Sequence, residues 1–222
     1  YSGIKIYEWY RDKNKNNEIA KKIKETVIVE SNGKNKEEYL IDFDKLKEQN
    51  NEAIAWIKVN NTNIEYPVVK TKNNEFYLNH SFDKSENLGG WIFADYKNKF
   101  NGTDKNIVIY GHNMKDNSMF GTMQNILNPE WYNNEENTNI ILKTEGKNYI
   151  YKVFSIYRIE NEDYYIKTEF SNDSEFEQFL NTLKARSIRD FNMDMLESDS
   201  ILTLSTCDNN NKYRVVLHAK KI

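Results

Sequence analysis

At 222 residues the chain is long enough for one substantial core with an accessory segment, and too short for two full domains. Its 31 basic and 34 acidic residues are mixed along the whole length and give a net charge of -3 with no basic stripe, which disfavours a nucleic-acid partner. Mean hydropathy is -0.85, no run approaches the roughly 18 apolar residues that cross a bilayer, and a single cysteine excludes an internal disulfide framework or a zinc site of several thiolates.

The chain begins at Tyr1 rather than at Met, so a targeting or anchoring segment is expected to have preceded it. From about Ile4 to Val29 the apolar residues Ile4, Tyr7, Tyr10, Ile19 and Ile23 recur at loosely helical spacing and predict one or two amphipathic helices. Asp42 is placed to cap a short helix over Phe43 to Gln49, with Phe43 and Leu46 on one side. Residues 1–50 therefore read as a helical segment packed on the remainder, 51–222.

From Ala53 the pattern changes to short apolar runs separated by Asn, Gly and Asp: AIAWIKV, IEYPVVK, GGWIFAD, NIVIYGH, NIILKT, NYIYKVFSIYRI, SILTLST and KYRVVLHAKKI. Many short strands with turn signals between them predict a mainly β domain, a barrel or a sandwich. Two helices interrupt them, one near Ser118 to Leu127 and one in SNDSEFEQFLNTLKAR. In the second, Phe176, Phe179, Leu180 and Leu183 fall at i, i+3, i+4, i+7 behind the candidate caps Ser171, Asn172 and Asp173.

A lone thiol is most often a small buried hydrophobe, so Cys207 is a candidate nucleophile only if it has a partner. His112 ends the apolar run IVIYGH, where a strand-to-loop turn commonly exposes working side chains. His80 sits among aromatics in FYLNHSF and reads as a hydrogen-bonded structural residue. Cys207 ends ILTLSTC and is followed by the polar turn 208–211, which predicts a β-hairpin. Such a four-residue turn sets Cys207 opposite Lys212 and Ser205 opposite Arg214, and places Cys207, Ser205 and Arg214 on one face. An odd turn would send Arg214 to the other face. His218 shares the Arg214 face but lies about 13 Å further along, too far to serve the thiol. Asp208, next to the cysteine, reads as a turn cap rather than a third catalytic group. Acidic residues show no calcium-ligand spacing, and neither metal nor cofactor is expected.

TLSTC, the Arg seven residues after the cysteine in YRVVLHAK, and the upstream YGHN resemble the three landmarks of the sortase family, in the same order. FYLNHSF followed by GGWIFAD, the helical start and the helix-bearing insert before SILTLST resemble class B of that family, from about residue 40 to the end. The resemblance implies a closed eight-stranded β-barrel with N-terminal helices and a helix-containing insert before the strand that bears the cysteine. It implies Cys207 as nucleophile, His112 as proton-transfer partner and Arg214 as the group holding the substrate carbonyl or its oxyanion. Ser205, Thr206 and Tyr165 are implied at the substrate groove. The activity implied is transpeptidation on the outer face of a Gram-positive membrane, behind an N-terminal anchor. A surface protein's C-terminal sorting signal would be cut after Thr through a thioacyl enzyme, and a cell-wall peptide amine would resolve it. Two rivals remain: a hydrolytic cysteine peptidase, in which water resolves the same intermediate, and a non-catalytic surface domain that binds peptides, since a barrel hosts many functions.

Overall fold

The computed structural model of the chain describes residues 2–30, 39–160, 162–207 and 212–222. Helix α1 runs unbroken over Ser2–Val27 and passes into β1, Ile28–Glu30, which pairs antiparallel with β2, Tyr39–Ile41. One helix therefore occupies the stretch whose spacing allowed two. Helix α2 covers Phe43–Gln49, and the Asp42 side chain accepts from the Lys45 amide at 3.0 Å, satisfying one of the orphan donors of the first turn. Ala20, Ile23 and Val27 of α1 and Phe43 and Leu46 of α2 are buried in the same apolar cluster as the strands that follow.

Those strands are β3 (Ala53–Val59), β4 (Glu65–Val69), β5 (Phe93–Ala94), β6 (Asn106–His112), β7 (Asn139–Thr144), β8 (Lys147–Glu160), β9 (Ile201–Cys207) and β10 (Tyr213–Lys221). They close into a barrel in the order β10-β8-β7-β3-β4-β5-β6-β9, with β4 and β5 meeting at the single pair Val69–Phe93. Within the barrel β4 with β5 and β6 with β9 are parallel, while the remaining pairs are antiparallel. A parallel pair requires a crossover; the one between β6 and β9 contains β7, β8 and the insert. Helix α4, Asp173–Arg186, lies in that insert, capped by Asn172, whose side chain accepts from the Glu175 amide at 2.9 Å. Its Phe176, Phe179, Leu180 and Leu183 form a second cluster with Phe154 and Tyr157 of β8 and Val216 of β10.

Three local expectations need correction. The helix expected over Ser118 to Leu127 is a 3-10 turn, Gly121–Leu127, followed by the short helix α3, Pro129–Tyr132; Gly121 sits so close to the Met114 carbonyl that an added Cβ would lie 2.3 Å from it, and this irregular packing overrides the helical period. Of GGWIFAD only Phe93–Ala94 is strand, because Gly90 turns the chain at φ 54 and Trp91 donates its indole N–H to the Pro67 carbonyl at 3.0 Å. The β9–β10 register pairs Ser205 with Val216, two residues beyond the Arg214 expected there. Thr206 supplies the reason: its hydroxyl, rather than a main-chain carbonyl, accepts from the Val215 amide at 2.8 Å, so the ladder ends sooner than a simple hairpin allows. The turn 208–211, including Asp208, lies outside the described residues.

Candidate active site

Strand β6 delivers His112 to one end of the barrel, and the parallel register with β9 sets His112 level with Cys207, the last of a run from Asn106↔Ile201 onward. Adjacent strands lie about 4.8 Å apart, so the two main chains pass within side-chain reach. This pairing depends on two segments 95 residues apart in sequence, as the register pair 112 and 207 shows, and neither segment carries it alone.

The half-buried imidazole is held from the side away from β9. Its Nε2 lies 2.7 Å from the Leu78 carbonyl, at the end of the 3-10 turn Phe76–Leu78. A carbonyl only accepts, so Nε2 carries the proton and Nδ1 is the nitrogen able to take one. Gly90 makes this approach possible, since an added Cβ there would stand 2.8 Å from the Leu78 oxygen and 2.9 Å from His112 Cδ2. Behind Gly90, α1 contributes an amide clamp. Asn16 Nδ2 donates to the Gly90 carbonyl at 3.0 Å and to Asn87 Oδ1 at 3.2 Å, while Asn87 Nδ2 donates to the Asp12 carbonyl at 2.8 Å.

The register shift of two keeps Arg214 on the face that carries Ser205, because side chains alternate with a period of two. Arg214 lies two residues beyond Val216, the partner of Ser205, toward the barrel end that carries His112 and residue 207. Arg214 Nη1 donates to the Thr206 carbonyl at 3.2 Å, which ties the guanidinium to the main chain beside Cys207. A cavity of about 220 Å³ opens at this end, lined by Leu78, Tyr110, Glu162, Asp163, Tyr165, Ser205 and Arg214 among others. Tyr165 is buried in its wall, and its hydroxyl meets Ser205 Oγ at 2.9 Å. Thr206 does not line the cavity; its carbonyl and hydroxyl hold Arg214 and the Val215 amide instead. A larger hollow, about 530 Å³ and bordered by Lys97, Lys99 and Lys105, contains none of these residues.

The sortase domain family matches residues 57–222 of the chain. Sortase B of Listeria monocytogenes is 33% identical to it, over 99% of this chain and 89% of that one. The chain belongs to the sortase family, in class B. Sortase B of Staphylococcus aureus is also 33% identical, over 85% of this chain and 78% of its own length. Among solved structures, sortase B from B. anthracis in complex with AAEK2 superposes with a TM-score of 0.83 at 31% identity, covering 94% of this chain and 96% of that one. Clostridium perfringens sortase B gives 0.76 at 38% identity, over 82% and 100%. Sortases are cysteine transpeptidases of the Gram-positive cell surface that join surface proteins to peptide amines.

Burial lowers the pKa of His112 in this sortase, an effect the Leu78 hydrogen bond only partly offsets. The ring is therefore neutral at pH 7. The other histidines do different work. His80 stacks on Phe76 with ring centroids 3.9 Å apart and bonds the Phe76 carbonyl through Nδ1, a structural residue as its neighbours suggested. His218 is fully buried, with both nitrogens engaged by Tyr157 and Thr203. The contributions of Leu78 and Asn16 escape a sequence reading, one being a main-chain carbonyl and the other an Asn among many. Gly90, in a Gly-Gly pair before an apolar run, carries a readable turn signal.

Proposed function

We propose that Cys207 is the nucleophile, His112 the proton carrier and Arg214 the oxyanion partner of a transpeptidase that cuts a sorting signal after Thr and passes the protein to a cell-wall peptide amine. The observation that carries this reading is the β6–β9 register, which sets His112 level with Cys207 while β10 brings Arg214 to the same rim. Sγ attacks the Thr carbonyl carbon, and His112 Nδ1 takes the thiol proton. The proton is returned to the leaving nitrogen as the C–N bond breaks, leaving a thioester. An amine then attacks the thioester carbonyl, gives its proton to Nδ1, and the thiolate departs.

With ordinary pKa values of about 8.5 for Cys and 6.5 for His, moving the proton to imidazole costs about 2.7 kcal/mol. Burial of His112 widens that gap. The resting pair is thus neutral unless Arg214 offsets the difference, and the guanidinium acts most strongly when charge develops on sulfur and then on the carbonyl oxygen. Tyr165 and Ser205 line the peptide's path, and Thr206 positions Arg214 rather than touching substrate. Solved sortase B structures in a substrate complex and complexed with Gly3, both 34% identical to this chain, favour a peptide donor and a peptide amine acceptor. Residues 1–50 serve the catalytic barrel of 51–222 as a packed brace, as the Asn16 contacts suggest.

The test is to incubate the chain with a small library of Thr-containing peptides and detect the thioacyl enzyme by mass spectrometry, with Cys207→Ala as control. Added glycine peptide should turn the trapped enzyme into ligated product. No adduct with any peptide, or adduct persisting in the Ala variant, overturns the reading.

A further inference from the structure

A chain of buried polar groups starts and ends on the same short turn in the groove wall. Tyr164 and Tyr165 belong to the 3-10 turn Tyr164–Ile166, whose Tyr165 and Ile166 line the cavity. Tyr164 OH lies 3.0 Å from Tyr157 OH, and Tyr157 OH lies 2.8 Å from His218 Nε2. His218 Nδ1 is 2.9 Å from Thr203 Oγ1, and Thr203 Oγ1 is 2.7 Å from Asn106 Oδ1. Asn106 Nδ2 closes the circuit on the carbonyls of Tyr165 at 3.3 Å and Lys167 at 2.9 Å. Asn106, Thr203 and His218 are all buried without measurable exposure.

Every proton in this circuit is forced. Two carbonyls only accept, so the Asn106 amide nitrogen faces them and its oxygen must accept from the Thr203 hydroxyl. That hydroxyl has spent its one proton and must accept from Nδ1–H of His218. The ring is neutral, burial having pushed it down to about 3, so Nε2 is bare and accepts from Tyr157, which in turn accepts from Tyr164. No member has an alternative partner of the right polarity among these contacts, so a break at one point leaves a buried group unpaired.

We propose that His218, Thr203 and Asn106 are positioning residues that clamp the Tyr164–Ile166 turn to strands β6, β9 and β10 and so hold the groove wall in its peptide-binding shape. The inference rests on the proposed function in one respect, that the sorting peptide lies in this groove. The clamp itself is independent of the chemistry at Cys207.

The decisive pair is Thr203→Val, which keeps the shape and removes the hydroxyl, and Thr203→Ser, which restores it. Amide hydrogen exchange across residues 162–168 reads the clamp directly. In the Val variant exchange should quicken at least about tenfold, the change that about 1.4 kcal/mol gives, because the hydroxyl's bonds to Asn106 and from His218 are both lost. The KM for peptide should rise about tenfold with kcat within about twofold, and the Ser variant should recover both. Nitrogen NMR should show His218 protonated on Nδ1 and His112 on Nε2 at pH 7. Tyr164→Phe, at a partly exposed position, is the second variant should the Val protein fold poorly; it should speed exchange in the same segment. Unchanged exchange in Thr203→Val or Tyr164→Phe, or an unchanged KM beside faster exchange, overturns the proposal. An active-site reading that is wrong shows differently: no thioacyl enzyme in the parent, with exchange of 162–168 still governed by Thr203.

Discussion

Gly90→Ala tests whether the imidazole is held by the barrel or merely adjacent to it. At φ 54 an L-residue is strained, at a cost of about 1–2 kcal/mol. The new methyl would stand 2.4 Å from the Tyr77 oxygen and 2.8 Å from the Leu78 oxygen, both main-chain atoms that cannot swing aside. Overpacking of this kind costs about 1–3 kcal/mol, so the sum is about 2–5 kcal/mol, within the roughly 5–15 kcal/mol that a domain has to lose. The variant should therefore fold, with Tm lower by about 4–20 °C. The Leu78 carbonyl is the atom displaced, and it fixes His112 as the Nε2–H tautomer. Thioacyl formation at saturating peptide should fall by about ten- to a hundredfold, one to two decades for a lost buried hydrogen bond of about 1–3 kcal/mol. Thermal melts and quenched single-turnover mass spectrometry, both below the lowered Tm, separate the two effects. A variant that loses stability yet acylates at the parent rate would refute the link between Gly90, Leu78 and His112.

Arg214→Lys keeps the charge but cannot both hold the Thr206 carbonyl and present a second fixed N–H to an oxyanion; activity should drop about a hundredfold, and near-parent transpeptidation would remove the geometric role assigned to Arg214. Asn16→Ala takes away two bonds that pin Gly90 and Asn87 to α1, so Tm should fall and the His112 imidazole resonances should shift, whereas a surface helix with no part in the site would leave those resonances in place. Acid should destabilise the fold early. His112 and His218 both have lowered pKa values from burial, so the unfolded chain binds more protons below 6.5 and stability, fully present above 6.5, is lost as pH falls toward the folded values. The lowered carboxylates Glu65 and Asp83 act in the same direction but only below about 4.5, their ordinary range. Between pH 6.5 and 5 the unfolding free energy from urea melts should therefore decline by at most about 1.4 kcal/mol per unit per histidine, and a flat profile would contradict the burial of both rings.

What the sequence made legible is what is decided locally. AIAWIKV, NIVIYGH and NIILKT are strands at the residues read, and Phe43–Gln49 has its cap at Asp42, because alternation and capping act within a few residues. Those segments left barrel and sandwich open, and the closed barrel was an expectation only through the family resemblance carried by TLSTC, YGHN and YRVVLHAK. What stayed hidden is set at a distance. The β9–β10 register turned on a Thr206 side chain replacing a main-chain acceptor, which spacing alone cannot show. The neighbour of β9 is β6 across a long crossover, so the level placement of His112 and Cys207 had no local signal. His218 was legible as too far from the thiol, but not as the centre of a hydrogen-bond circuit, since its four companions Tyr157, Tyr164, Thr203 and Asn106 all come from other strands and the insert.

The two parts of the site are secured by different forces. Slipping β9 by one residue against β6 would turn Leu202 and Leu204, now buried with Ile109, out of the main apolar cluster and drive Thr203 and Ser205 into it. Each hydroxyl so driven into apolar packing without a partner costs about 1–3 kcal/mol, and the leucines would land on a face that is itself fully buried and filled by Thr203 and Ser205. The alignment of residue 207 with His112 is therefore enforced by burial along the whole ladder, and no single contact at the rim needs to enforce it. The groove wall has no such ladder; Tyr164–Ile166 stands outside the barrel sheet and is held by the buried polar circuit and by the contacts of Tyr165. Substitutions in residues 162–167 can thus reshape this cavity without moving the ladder, and under the proposed function peptide preference changes while the register of residue 207 with His112 stays fixed.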